Sequence, residues 1–231
     1  MKYALENDQR IEPTPKATAT CPCCDSDVIA KCGDIKVWHW AHKSKQMCYH
    51  WWENETPWHR KWKNKFSDKW QEQIHIADDG ERHIADVKTP SGFVIEFQHS
   101  PIALEERTSR ENFYEDMCWV VDATRLKSDA AKFNRAPTLS NLTYPTLLSE
   151  NVPVNFFPSL LKWYSAKPAV FFDFGNKLFC ILPASEHRLS RLMFSISHMK
   201  FVEIVSNSSD SCIDFETIIR AEPDFKYLKI S

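Results

Sequence analysis

A chain of 231 residues with 43% hydrophobic residues holds apolar material for one domain of ordinary size plus a small accessory module, and a formal net charge of -2 excludes coating nucleic acid by bulk electrostatics, leaving that work to a local basic patch. Four glycines are too few for a Gly-rich phosphate cradle, which removes NTP-driven and nicotinamide-dependent chemistry. No apolar run approaches the roughly 20 residues of a membrane span, and the polar stretch Met1 to Thr20 lacks a signal peptide's apolar segment, so a soluble cytoplasmic protein is expected.

Residues 1 to 20, with Pro13 and Pro15, read as a poorly packed leader or an edge strand. Residues 21 to 50 then gather five cysteines, Cys21, Cys23, Cys24, Cys32 and Cys48, beside several histidines. Without an export signal, such clustering favours metal over disulfides. Cys21 and Cys24 form a CxxC pair, and after fourteen intervening residues His39 and His42 form an HxxH pair. Thiolate and imidazole pairs at this spacing suit a closed tetrahedral Zn²⁺ site. Such a site is structural and contributes folding free energy to a segment too short for its own core. Cys48 can replace either histidine, Cys23 can be a spare thiol, and the isolated Cys32 reads as a small buried hydrophobe.

From Glu53 to Gln71 the period is helical. Trp58, Trp62, Phe66 and Trp70 recur every four residues and form one buried stripe, while Glu55, His59 and Lys63 share the adjoining face. The period then becomes two: Phe93, Ile95 and Phe97 alternate with Val94, Glu96 and Gln98, so Glu96 and Gln98 share a strand face. The segment Thr89 to Gly92 reads as a turn from an earlier strand, His83 to Lys88, making a hairpin in which Asp86 and Glu96 point into one site if the register matches.

After a cap-like Ser100-Pro101, a helix is expected over Leu104 to Met117, with Glu106, Arg110 and Tyr114 pairing along its surface. The apolar run Cys118 to Ala123, ending near Asp122, suits a buried strand of a parallel or mixed sheet. Helix, hairpin, helix, strand is an α/β sandwich order. Five prolines between residues 126 and 168 mark irregular connections, and Ala169 to Leu182 with Phe201 to Val205 are expected to add strands.

Nine basic residues stand against four acidic ones between Lys31 and Lys69, and seven of the nine tryptophans fall between Trp38 and Trp70. Lys43, Lys45, Arg60 and, further along, Arg110 are candidate phosphate contacts. Trp51 and Trp52, adjacent and outside the helical stripe, are candidates for stacking on unpaired bases, at about 1 to 3 kcal/mol each. The partner this suggests is DNA in a single-stranded or branched form.

His39-Trp40-Ala41-His42, Trp58-His59 with Lys63, His83-Ile84-Ala85-Asp86-Val87 and Ile95-Glu96-Phe97-Gln98-His99-Ser100-Pro101-Ile102 together resemble the competence protein CoiA family, a branch of the PD-(D/E)XK nuclease superfamily. The resemblance runs from about Cys21 to Ala123. It implies a restriction-endonuclease-like core, a mixed sheet flanked by helices, with the small zinc-binding module over residues 1–50 and the nuclease domain over 51–231. It also implies Asp86 and Glu96 as ligands of a catalytic Mg²⁺ or Mn²⁺, Gln98 where most of the superfamily carries lysine, and His59 beside the active site. Carboxylate-held hard cations supply the charge compensation and activated water that phosphodiester hydrolysis needs. A glutamine carries no charge, so Lys63 or Lys88 is the candidate to restore the cation, and His59 can serve as base or hydrogen-bond donor. The implied roles are competence and recombination, or defence against foreign DNA.

Overall fold

The computed structural model describes residues 1–44, 51, 55–125, 146–148, 162–183 and 191–221, with only the backbone at 146–148 and 191–193. Lys45, Cys48 and Trp52 lie outside the described residues, as does most of the proline-rich stretch. The chain divides into two compact units, Met1–Lys88 and Thr89–Ser231.

In the first unit, β1 (Ala4–Glu6), β2 (Gln9–Ile11), β3 (Thr18–Thr20), β4 (Asp27–Lys31) and β5 (His39–His42) form an antiparallel sheet in the order β2-β1-β3-β4-β5. Asn7 and Asp8 turn β1 into β2 with φ of 50° and 61°, the left-handed pair that matches the twist of a two-residue hairpin. Of the two expectations for residues 1 to 20, a loose leader or an edge strand, the second is met: they supply three strands, with β2 at the sheet edge. The reason is tertiary: the backbone N–H groups of Lys2 and Tyr3 donate to the Glu72 carboxylate at 2.6 to 2.9 Å, which satisfies groups that would otherwise be buried unpaired.

Helix α1 spans Pro57–Lys63, entered through a Thr56 cap with Pro at its first turn, where a missing N–H costs nothing. It is shorter than the four-residue stripe predicts. The helix ends at the Asn64 cap, whose N–H donates to Arg60 O, and the chain tightens into turns in which Lys65 and Phe66 N–H donate three residues back, to Trp62 O and Lys63 O at 3.0 Å. Trp62 and Phe66 are still buried, Phe66 from the turn beyond the helix. Strands β6 (Gln71–Ile76) and β7 (Arg82–Lys88) follow as an antiparallel pair.

The second unit contains β8 (Val94–Gln98), α2 (Leu104–Tyr114), β9 (Met117–Asp122), β10 (Thr146–Leu148), β11 (Ala169–Asp173), β12 (Leu178–Ile181), β13 (Arg191–Ile196), α3 (His198–Asn207) and α4 (Phe215–Arg220). Its strands run β10-β13-β12-β11-β9-β8. β8, β9 and β11 are parallel and the others antiparallel, the mixed arrangement expected for the apolar run at β9. Register pairs Glu96 with Trp119 and Val120 with Phe171, so Trp119 and Phe171 point to opposite faces. Trp119 donates to Glu111 of α2 at 3.2 Å, whereas the Phe171 ring lies 4.6 Å from Phe201 of α3 and 4.9 Å from Phe215 of α4. Helices thus cover both faces, which is why these strands read as continuous apolar runs. Each fully buried ring contributes about 1.5 to 3 kcal/mol. Phe201 to Val205 lies in α3 and not in a strand: its buried residues, Phe201, Ile204 and Val205, have the i, i+3, i+4 spacing of one helix face, behind a Ser197 cap.

Candidate metal centre and carboxylate sites

The turn between β3 and β4 carries Cys21 and Cys24. It is closed by Cys21 N–H to Ser26 O at 2.8 Å and Asp25 N–H to Cys21 O at 3.0 Å, with Asp25 left-handed at φ 57°. On β5, His42 is the register partner of Val28, which brings its ring to this turn. The ligand atoms of Cys21, Cys24 and His42 all lie within 4.8 Å of one another. Cys24 Sγ and His42 Nε2 are 3.4 Å apart. Tetrahedral Zn²⁺, with bonds of about 2.3 Å to sulfur and about 2.0 Å to nitrogen, holds two such ligands about 3.5 Å apart. The donor set fits zinc.

His39 does not join this group. Three positions from His42 on a strand of period two, it faces the other side of the sheet, and its Nδ1 engages Val37 O at 2.8 Å. The HxxH spacing brings two histidines together on a helix and separates them on a strand. Cys23 packs in the apolar cluster of Met1, Ala4, Val28, Trp40 and Ile84.

The second constellation of this unit surrounds Lys63. Its ammonium, almost wholly buried, lies 2.8 Å from Glu72, 3.3 Å from Asp86 and 3.4 Å from Glu55. The expected proximity of Glu55 and Lys63 is present, although Glu55 precedes α1. Glu72 has no counterpart in the sequence reading. It sits in β6 opposite Asp86, between the pairs Gln71↔Val87 and Gln73↔Ala85, and adopts φ 48°, a left-handed conformation that costs a non-glycine residue of order 1 to 3 kcal/mol. No periodicity signals such a residue; only the strand register reveals it.

Burial pushes the Glu72 carboxyl up, but the Lys63 charge and the hydrogen bonds from Lys63 and Lys2 outweigh it and hold it far below the carboxylate range. Burial likewise opposes the charge on Lys63, and Glu55, Glu72 and Asp86 more than offset this, raising its pKa well above 10.5. A depressed folded-state carboxylate contributes stability that is complete above its unfolded pKa and lost as pH falls toward the folded value. The Lys63 contribution is intact below 10.5 and fails only on the alkaline side. Urea midpoints measured from pH 7 to 3 are therefore expected to fall below about pH 4.5, and Glu72→Gln to flatten that acid limb.

His59 holds the first turn of α1. Its Nδ1 lies 2.8 Å from Thr56 Oγ1 and accepts Thr56 N–H at 3.3 Å, the imidazole filling the place of the usual acidic partner in a capping box.

In the second unit Glu96 is buried and paired with Arg110 at 3.0 Å, and Arg110 also bridges to Glu106. Arg110 and Tyr114 therefore belong to the interior, and the surface role expected for Arg110 toward phosphate is corrected: α2 turns this face onto the sheet. Gln98 donates its amide to Ser100 O at 2.9 Å, so Ser100 acts through its carbonyl, and the α2 cap is Ala103. That bond fixes the orientation of the Gln98 amide. Its carbonyl Oε1 is buried and has no hydrogen-bond partner among the described residues, in a residue only 4% exposed.

At the carboxyl ends of the parallel strands, His99 Nδ1 meets Asp122 at 2.7 Å and His198 Nε2 meets Asp173 at 2.9 Å, with Asp122 and Asp173 in register on β9 and β11. Sequence reading missed these pairs because their members are 23 and 25 positions apart. Cys118 and Cys180 are buried thiols whose pKa burial raises, which makes them unreactive.

The expected nucleic-acid contacts are largely committed within the first unit. Arg60 bonds Glu55 at 2.8 Å and Trp38 O at 3.0 Å, and Trp51 stacks on His83 with ring centroids 3.5 Å apart. Lys43 pairs with Asp27 at 2.8 Å, but both are exposed, and such a pair is weak and salt-screened.

Residues 6–50 match the family model described as Competence protein CoiA, N-terminal domain. Comparison with curated proteins and with solved structures gives no match. No described helix is long and apolar enough to cross a membrane. The matched stretch contains Cys21, Cys24 and His42, so the likeness to the CoiA family is carried by the segment whose residues could hold a metal ion.

Proposed function

We propose that the chain is a metal-dependent DNA nuclease of CoiA type, hydrolysing phosphodiester bonds in DNA uptake and recombination or in defence against foreign DNA, with Zn²⁺ as a structural ion. The observation that carries this reading is the buried carbonyl of Gln98, without a partner among the described residues, on the same strand face as Glu96. A buried acceptor left unpaired costs about 1 to 3 kcal/mol, and a hard cation or the water it holds is the ligand that meets carbonyl and carboxylate oxygens together. Asp86 and Glu96 are the proposed ligands of Mg²⁺ or Mn²⁺, which supplies Lewis-acid stabilisation of the phosphoryl group and an acidified water. Asp86, the most exposed of the three acids around Lys63, is the one able to face solvent. Glu55 and Glu72 keep its surroundings negative, and Lys63, held as a cation, restrains its position. Gln98 Oε1 would accept a hydrogen bond from the attacking water and orient it, leaving the proton on the water, since an amide is no base.

The Arg110 ion pair on Glu96 favours a second reading, a DNA-binding recombination-accessory protein without catalysis. Plasmid and single-stranded DNA incubated with Mg²⁺ or Mn²⁺ separate the two. The nuclease reading expects cleavage that Asp86→Ala lowers by about 10²- to 10³-fold, the size of losing one electrostatic group at a reacting phosphate. Salt-dependent binding with no cleavage by the parent protein selects the accessory reading.

A further inference from the structure

We infer that residues 32–38, the loop joining β4 to β5, form a contact tip for single-stranded nucleic acid; this rests on the DNA-handling reading above and adds where the strand is held. The loop projects two large apolar side chains that the fold leaves uncovered, Ile35 at 98% exposure and Trp38 at 45%. A tryptophan on the surface costs the protein solubility, and two apolar groups on one short loop are more than the scattered exposure normal for a surface.

The loop is also held in shape. Trp38 Nε1–H donates to Gly33 O at 3.2 Å across it, and Arg60 donates to Trp38 O at 3.0 Å from below. An indole fixed this way loses little freedom on stacking.

Charge selects the occupant. Lys31 precedes the apolar pair and Lys36 lies between its members; both are exposed, and among the described residues neither makes an ion pair, while Asp34 is the only acidic residue of the segment. Cations without partners beside an exposed aromatic match a polyanion with accessible ring faces. Unpaired bases provide those faces, and a duplex hides them. The tip thus takes the stacking role expected of Trp51, whose ring is stacked on His83, in the window rich in lysine and tryptophan.

The test uses the full chain loaded with zinc and fluorescently labelled single-stranded and duplex DNA, with affinity read by anisotropy at several salt concentrations. Trp38→Ala is expected to weaken single-strand binding about ten-fold or more and duplex binding less, with Trp38→Phe restoring most of it. The pair Lys31→Gln and Lys36→Gln is expected to lower the slope of log affinity against log salt by about 1.4, the value for two phosphates of a single strand. Zinc content and far-UV circular dichroism equal to the parent's confirm that the loop alone has changed. Tip variants that bind like the parent overturn the inference and leave the DNA-handling reading intact. A parent protein with no salt-dependent affinity for either DNA overturns both.

Discussion

Stripping zinc with a strong chelator, or replacing Cys21 and Cys24 by serine, is expected to unfold the five-stranded module of residues 1–44. Its strands are three to five residues long, and its apolar cluster consists of Met1, Ala4, Cys21, Cys23, Val28, Trp40 and Ile84. So small a core is marginal without a staple such as a bound metal. Structural zinc contributes apparent free energies of about 10 to 16 kcal/mol at neutral pH, enough to decide the outcome. Metal analysis is expected to give one zinc per chain, lost in His42→Ala and retained in His39→Ala. That contrast tests the strand geometry directly, since the spacing of the two histidines alone treats them as equals. Equal zinc loss in both variants defeats the assignment. Cys48→Ser in the same assay reports whether that residue completes the site.

Lys63→Met is expected to destabilise the protein by about 3 to 5 kcal/mol. The substitution keeps an unbranched side chain one atom shorter and removes the charge shared by Glu55, Glu72 and Asp86. Removing one partner of a buried ion pair leaves the other uncompensated, which costs more than the pair itself contributes. Combining Lys63→Met with Glu72→Gln removes the most deeply committed of those carboxylates, and it should recover part of the loss. Urea unfolding at pH 7 measures both effects. A loss under about 1 kcal/mol for Lys63→Met would mean that water screens the cluster, contrary to its burial. Because Lys63 stays protonated, it acts on Asp86 as a fixed charge and not as a base, whether or not the chain cleaves DNA.

Strand and helix character was legible wherever one period dominated. Phe93 to Gln98 alternates and forms β8, and the apolar run at residue 118 forms β9 between two parallel neighbours. Where the spacing admitted two geometries, the residues did not choose. Trp58, Trp62, Phe66 and Trp70 share a period of four, yet the helix stops at Asn64 and the backbone turns with bonds three residues back, so the spacing outlasts the helix. Phe201 to Val205 is apolar enough for a strand, and packing against Phe171 and Phe215 makes it a helix. Arg110 reads as a surface cation until α2 is placed against Glu96.

By itself the sequence determined the class of donors near the N-terminus, a pair of thiols and a pair of imidazoles within a short segment, and the presence of acidic residues on period-two strands. Ligand chemistry depends on residue type, and residue type is local. Tertiary structure alone decided which histidine joins the thiols, that Glu72 stands opposite Asp86, and that Lys63 is shared among three carboxylates. Those outcomes depend on strand register and element packing, where a shift of one residue reverses every side chain and leaves the local pattern unchanged.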